Sequence, residues 1–507
     1  MKSKEKNLFL ILGLCLVVEV GSLFCNSGIV KGFSKRADNL KAYATALRED
    51  ASILPGDILD RNGTALVETY EKMIVTENRD GSIDKKAVRQ TDYIHGTAYS
   101  QILGYTGNRL LYPAAENWED VVGPRNDYRL MAFLADDDWD GSLYKTVDQS
   151  GTKGESAVLT IDHELQMNVY QALKNQMSTE EMGSAVVIDA KTGEILSMVS
   201  FPAYDFNDLG SAKQKMLADG KTTKLEPWYP VSYKNPEAPG SIFKVLTAVA
   251  LLDHGYEDYT VKDQSFEVDG WRCSNAYTSW GNTIDYRTAI KKSSNVFFAS
   301  GALMLGKDTM KETAAKFMLS DQGYLELDFG NVPYNWNLEV DRNVLAQTGF
   351  GQGKTELTTV HAAMIMQAIA NDGVMMKPYM VKELVNANGE IVYTGEAQVY
   401  SMATTKDTAD KVTAAMREAA KYTASHYRGL GKTASVFEKY QVCGKTGTAE
   451  VGDVDRTNNA WFISFAPAED PEYVVVVNQC RTKKAGYKMT TTVADIYEYL
   501  FESYKGE

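Results

Sequence analysis

The chain has 507 residues, more than one ordinary hydrophobic core organises, so it is expected to divide into two or three domains. A formal net charge of −14 excludes nucleic acid as the main partner. The 5 histidines and 5 cysteines show no metal-ligand spacing, so neither a metal nor a cofactor is expected, and the scattered thiols leave the redox compartment open.

Lys2, Lys4 and Lys6 precede an apolar run, residues 8–25, close to the roughly 18 residues that span a bilayer. Glu19 inside it is costly in lipid and is expected to face a partner helix. Asn26-Ser27-Gly28 follows in place of a small-x-small cleavage site, and Phe24 before Cys25 does not fit a lipoprotein signal. Residues 1–33 therefore read as a short cytoplasmic tail and an uncleaved transmembrane anchor. Lys31, Lys35 and Arg36 follow the run, so charge asymmetry orients it only weakly, with the N-terminus inside.

Residues 34–150 have a different texture. Asn62-Gly63 between apolar residues is a hairpin signal, and polar, turn-rich sequence follows down to Asn108. No catalytic cluster appears there, so the region reads as a spacer or docking domain. Asp136-Asp137-Asp138-Trp139-Asp140-Gly141 opens like a calcium loop, but Val147 stands where the bidentate Glu is required, which leaves a solvated acidic loop.

The main boundary is placed near residue 150. Beyond it, residues 157–161 read as a strand, and Leu165, Val169 and Leu173 mark a helix. Lys191-Thr192-Gly193 lies between apolar runs 185–188 and 195–199 and reads as a hairpin turn. Pro239-Gly240 then introduces Ser241-Ile242-Phe243-Lys244 and an unbroken apolar stretch to Leu252, a buried helix opening at a tight turn. Ser241 and Lys244, at i and i+3, share one face, so the lysine can deprotonate the hydroxyl. Ser3-Lys4-Glu5-Lys6 and Ser150-Gly151-Thr152-Lys153 share the spacing but lack this setting.

Ser293-Ser294-Asn295 ends a polar stretch and, by itself, reads as a helix cap. Lys445-Thr446-Gly447-Thr448 follows a plausible strand at 440–444, where Gly447 lets a ligand approach the backbone. Runs 460–465 and 473–477 read as two further buried strands with a turn near Pro467 and Pro471. The ordered triple supplies a serine nucleophile (Ser241), a lysine base (Lys244), a hydroxyl-amide pair (Ser293, Asn295) and a carboxylate-binding strand (Lys445, Thr446, Gly447, Thr448).

With these motifs in place, the chain resembles the class B penicillin-binding proteins, membrane-anchored peptidoglycan D,D-transpeptidases. Asp60-Arg61-Asn62-Gly63 matches the family's N-terminal module, and Leu159-Thr160-Ile161-Asp162 with Leu165-Gln166, and the segment from Lys191 to Leu196, match the opening of its transpeptidase domain. Thr348-Gly349-Phe350-Gly351-Gln352-Gly353 resembles the glycine-rich segment beside its cleft, and Ala460-Trp461-Phe462 follows the third motif as in the family. Three residues depart: Ile242 where Thr is usual, Pro55 where Arg is common, and Asn459 where His often stands.

The resemblance implies a serine β-lactamase-like α/β (α+β) fold, an antiparallel sheet flanked by helices, over residues 151–507, preceded by a pedestal or dimerisation-like domain, 34–150. It implies an acyl-enzyme on Ser241, with Lys244, Ser293 and Lys445 handling protons and Asn295, Thr446, Gly447 and Thr448 binding substrate. Stem peptides, β-lactams and a polytopic glycan polymerase are the implied partners, and the catalytic domain lies outside a bacterial membrane. A D,D-carboxypeptidase, a β-lactamase and a catalytically idle scaffold remain the alternatives.

Overall fold

A computed structural model describes residues 56–103, 156–205, 225, 227, 229–279, 281–327, 330–336, 338, 341–386, 388–451 and 457–504. The expected anchor, the acidic loop at 136–141 and the boundary near 150 lie outside them. Among the described residues no helix is long and apolar enough to cross a membrane.

Early and late apolar runs meet in one sheet. Strands β1 (Met182–Asp189), β2 (Ile195–Phe201), β3 (Cys443–Val451), β4 (Thr457–Ala466) and β5 (Tyr473–Thr482) are ordered β3-β4-β5-β1-β2, all antiparallel. The pairing that closes it joins chain-distant segments, Val475 opposite Val187 and Tyr473 opposite Asp189. β1, β2 and β5 are buried almost end to end, so both sheet faces must be covered, and their runs are continuous rather than alternating.

Among the helices that cover the sheet or carry the site are α1 (His163–Lys174), α2 (Lys244–Asp253), α3 (Tyr286–Lys292), α4 (Asn295–Lys316, broken at Gly306), α5 (Thr359–Ala370) and α6 (Met489–Glu502). Thr359 of α5 hydrogen-bonds Ser184 (2.6 Å), while Tyr497 of α6 bonds Ser464 (3.1 Å). Ser464 faces Val475 and hence Val187, which points opposite to Ser184 along β1, so the two helices cover opposite faces. The expected antiparallel sheet flanked by helices is what the chain forms.

The second sheet has six strands, ordered Ile391–Thr394, Val381–Val385, Ser156–Leu159, Ile58–Leu59, Ala65–Glu77 and Ile83–Tyr93. It draws strands from both sides of residue 150, with Ile58–Leu59 running parallel to Ser156–Leu159. The Asn62-Gly63 turn forms as expected: Asp60 accepts from the amides of Asn62 (2.9 Å) and Thr64 (2.7 Å). The same motif ties the two sequence regions together, since Asp60 also accepts from the His163 amide (3.0 Å), Asn62 donates to Asp162 (2.9 Å), and Arg61 pairs with Glu194 (3.2 Å).

The stretch after Gly63 departs from its expected character. It is not turn-rich but forms a long antiparallel arm, Ala65–Glu77 against Ile83–Tyr93. Most of the first strand is exposed, including Met73, Ile74 and Val75, so the in-out alternation that announces a half-buried strand is missing.

Candidate active site

Ser241 does not sit inside the helix its sequence context predicts. It occupies a 3₁₀ turn, Gly240–Ile242, and α2 begins only at Lys244. The turn is held from three sides. Gly240 N–H donates to the Gly351 carbonyl (2.8 Å), the Trp461 indole donates to the Ala238 carbonyl (3.0 Å), and Thr247 donates to the Gly349 carbonyl (2.8 Å). The glycine-rich segment is therefore a wedge under the Gly240–Ile242 turn. Ser241 itself is half-buried at the surface of this packing.

Lys244 is 0 % exposed, yet its amine is fully engaged. It donates to the Ser293 carbonyl (2.7 Å), Ser293 Oγ (3.1 Å) and Asn295 Oδ1 (2.7 Å). Lys445, 2 % exposed, donates to the same Ser293 Oγ (2.9 Å) and to the Thr446 carbonyl (3.0 Å). Two buried amines thus converge on one hydroxyl. Burial, and then the charge of Lys445, hold Lys244 well below the ordinary lysine range, while burial brings Lys445 down to about 7.

Ser293 and Asn295 reach these amines because the second motif spans a break between helices. Ser293 ends α3 in the left-handed region (φ 60°), and Ser294 opens α4, accepting from the Phe297 amide (3.1 Å). A left-handed non-glycine residue at this point is strain stored in the site. The cap reading holds for Ser294, while the hydroxyl of Ser293 accepts from the two buried amines.

The third motif lies on β3, the free edge of the central sheet. The strand starts at Cys443 rather than 440, because Gln441 (φ 51°) turns the chain out of the preceding helix. Gly447 packs against the turn that carries Ser241: an added Cβ would lie 2.8 Å from the Pro239 carbonyl oxygen and 2.9 Å from Ile242. Thr446 is half-buried and Thr448 exposed, and Thr448 Oγ1 accepts from the Gly486 amide (2.9 Å). The other Lys-Thr-Gly, at 191–193, is the β1–β2 turn, with Asp189 accepting from the amides of Lys191 (2.9 Å) and Thr192 (2.8 Å).

All the candidate residues therefore gather at one end of the sheet. Sequence reasoning missed their support. Asp263 and Asn275 brace the second motif, and Glu237 accepts from Asn459 (2.7 Å) behind the third. Nothing marks these residues in the chain, since their role depends on contacts across 12 to 222 residues. Among the described residues no group of three or more His, Cys, Asp or Glu is placed to hold a metal ion.

The profile of the penicillin binding protein transpeptidase domain matches residues 183–498, more than half of the chain and the whole of this site. The chain belongs to that family. Peptidoglycan D,D-transpeptidase PbpA of Mycolicibacterium smegmatis is 28% identical over 400 residues, 76% of this chain and 78% of the relative. Penicillin-binding protein 3 of Bacillus subtilis is 28% identical over 344 residues, 62% of this chain and 46% of that protein. In structure, the ceftriaxone acyl-enzyme of penicillin-binding protein A from M. tuberculosis superposes with a TM-score of 0.68 at 24% identity, covering 90% of this chain and 100% of that one. The D,D-transpeptidase domain from Eggerthella lenta gives 0.66 at 23%, covering 89% and 99%.

The buried lysines make a stability prediction. Lys445 binds its proton less tightly folded than unfolded, so its burial cost is absent above about pH 10.4, grows as pH falls, and is complete below about 7. Lys445→Met in this penicillin-binding domain is expected to raise the melting temperature at pH 6 by a few degrees, with the gain shrinking as pH rises toward 10. Scanning calorimetry across that range checks it; a gain that grows with pH contradicts the assignment.

Proposed function

We propose that this chain is a peptidoglycan D,D-transpeptidase that crosslinks stem peptides through an acyl-enzyme on Ser241 and is inhibited by β-lactams. The observation that carries the reading is the convergence of Lys244 and Lys445 on Ser293 Oγ (3.1 and 2.9 Å) beside the nucleophile turn. The names of the relatives, and the acyl-enzyme complexes with ceftriaxone and penicillin G among the structural neighbours, support it.

In this mechanism neutral Lys244 takes the Ser241 proton as Oγ bonds to the carbonyl carbon of the penultimate D-Ala. The oxyanion is received by the backbone N–H groups of Ser241 and Thr448; loss of one such donor costs roughly 10²–10³ in rate. Lys445 and Ser293 return the proton to the leaving nitrogen as the C–N bond breaks and terminal D-Ala departs. Asn295 orients the donor backbone. Thr446 and Thr448 hold the terminal carboxylate, over the close approach that Gly447 permits, and Lys445 adds charge. An amine from a neighbouring stem then attacks the ester, forms the new amide and frees Ser241.

The same reading has residues 8–25 anchor the chain once in a bacterial membrane, with the catalytic domain outside. It divides the chain into tail and anchor (1–33), pedestal (34–150) and transpeptidase domain (151–507), the last completing the pedestal's sheet. Glu19 and the pedestal would dock a polytopic glycan polymerase, and Glu19→Leu that leaves such a complex intact counts against this docking.

Labelling with a fluorescent penicillin, followed by peptide mapping, tests the function. A stable adduct on Ser241, absent in Ser241→Ala, is expected. Rapid drug turnover indicates a β-lactamase, no adduct indicates a scaffold, and D-Ala release without crosslinks indicates a carboxypeptidase.

A further inference from the structure

A buried carboxylate stands behind the second motif. Asp263 is 4 % exposed and follows the short strand Val261–Lys262, which pairs with Thr283–Ile284 to close residues 261–284 into one insertion. Its Oδ1 accepts from Asn275 Nδ2 (2.7 Å) and Ser294 Oγ (2.7 Å), and its Oδ2 from the Tyr277 hydroxyl (2.9 Å). An ionised carboxylate only accepts, so the Asn275 amide must turn its NH₂ toward Asp263 and its oxygen the other way. That oxygen meets the first turn of α4, accepting from the Asn295 amide (2.7 Å) and the Val296 amide (3.1 Å). The insertion grips Asn295 a second time: its side chain donates to the Ser274 carbonyl (2.9 Å), leaving Oδ1 for Lys244.

We infer that Asp263 is a positioning residue for the reaction, setting the orientation of Asn275 and through it holding Ser293 and Asn295 on the amine of Lys244. This role rests on the reading of Ser241 as nucleophile and Lys244 as base. Ser294 strengthens the link, because its hydroxyl gives its one proton to Asp263 while capping α4 at Phe297. Charge adds a second effect. Lys244 faces Lys445 from β3, and Cys273 and Asp263 from the insertion; burial and Lys445 favour the neutral amine, whereas the Asp263 carboxylate favours the ammonium. Cys273, whose thiol burial pushes up to about 12, is neutral there.

Two consequences separate this role from simple structural support. Asp263→Asn removes the charge and frees the Asn275 amide to flip. Misplacement of reacting groups by ~1 Å costs up to about 10²-fold, so acylation of Ser241 by a chromogenic penicillin is expected to slow by about 10- to 100-fold. The ascending limb of its pH profile, where Lys244 loses its proton, is expected to move to lower pH. Asn275→Ser keeps the carboxylate, shortens the brace and takes one donor from the carboxylate, so the rate falls and the limb does not move to lower pH. Glu267→Gln, on the exposed side of the same insertion, changes neither.

The experiment measures second-order acylation from pH 5 to 10 on the full chain, with melting temperatures alongside. An Asp263→Asn rate within twofold of the unsubstituted protein, or a uniform loss with an unmoved limb, overturns the inference. Where Asp263→Asn fails to fold, Tyr277→Phe serves. It removes one donor from the carboxylate but keeps its charge, so the stronger field must move the limb to higher pH; a limb that stays or falls is the refuting result. Absence of any Ser241 adduct in the unsubstituted protein overturns the reading of the site itself, and this inference with it.

Discussion

Replacing Lys244 by methionine is expected to slow acylation of Ser241 by a β-lactam roughly 10²–10⁴-fold, the usual range for a general base, without lowering thermal stability. The geometry sets both halves of that expectation. Lys244 is 0 % exposed, and its bonds run to Ser293 and Asn295. Burial and the neighbouring Lys445 hold its proton affinity well below that of a free lysine, which suits the base role proposed for it. Methionine fills a similar volume and removes a buried amine that gives up its hydration on folding, which offsets the three lost hydrogen bonds. The residual rate should also lose the ascending limb that Lys244 produces. A rate within tenfold of the parent, with the limb retained, assigns the base elsewhere.

Gly351→Ala is the second large effect, and it acts without touching any reacting atom. Gly351 has φ +77°, a region that costs a side-chain-bearing residue about 1–3 kcal/mol. An added Cβ would also collide with the Gly240 carbonyl oxygen and stand 2.8 Å from Phe243 Cβ. Those atoms belong to the turn that presents Ser241, so relief of the clash must move the nucleophile. A loss of roughly 10²-fold or more in acylation is expected, together with a clear fall in melting temperature. Gly353→Ala provides the contrast. Its φ is also positive, +82°, but its nearest neighbour is Val344 at 3.4 Å, so stability falls while the surviving folded protein acylates normally. Equal acylation losses in both variants would show that backbone strain, not displacement of Ser241, is responsible.

Much of the site was legible because its chemistry is local. Ser241 and Lys244 are one turn apart, Ser293 and Asn295 share a loop, and Lys445 to Thr448 lie on one strand, so each fragment carries its own signature. The sheet was legible for a similar reason: the run from Val474 to Val477 and the run from Ala185 to Ile188 are apolar throughout, as strands covered on both faces must be. The exposed arm at Ala65–Glu77 was not legible. A strand with solvent on both sides has no buried face to impose alternation, so Met73 and Val75 look like loop residues.

The amino-acid sequence by itself determined the candidate groups, their order, and the family to which the chain belongs. The tertiary structure alone decided that Lys244 and Lys445, 201 residues apart in number, meet on Ser293 Oγ, and that Asp263 hydrogen-bonds Ser294 beside it. The reason is physical. A motif records which functional groups are available, but the proton affinity of a lysine depends on burial and on neighbouring charge, and both arise only when distant segments pack together.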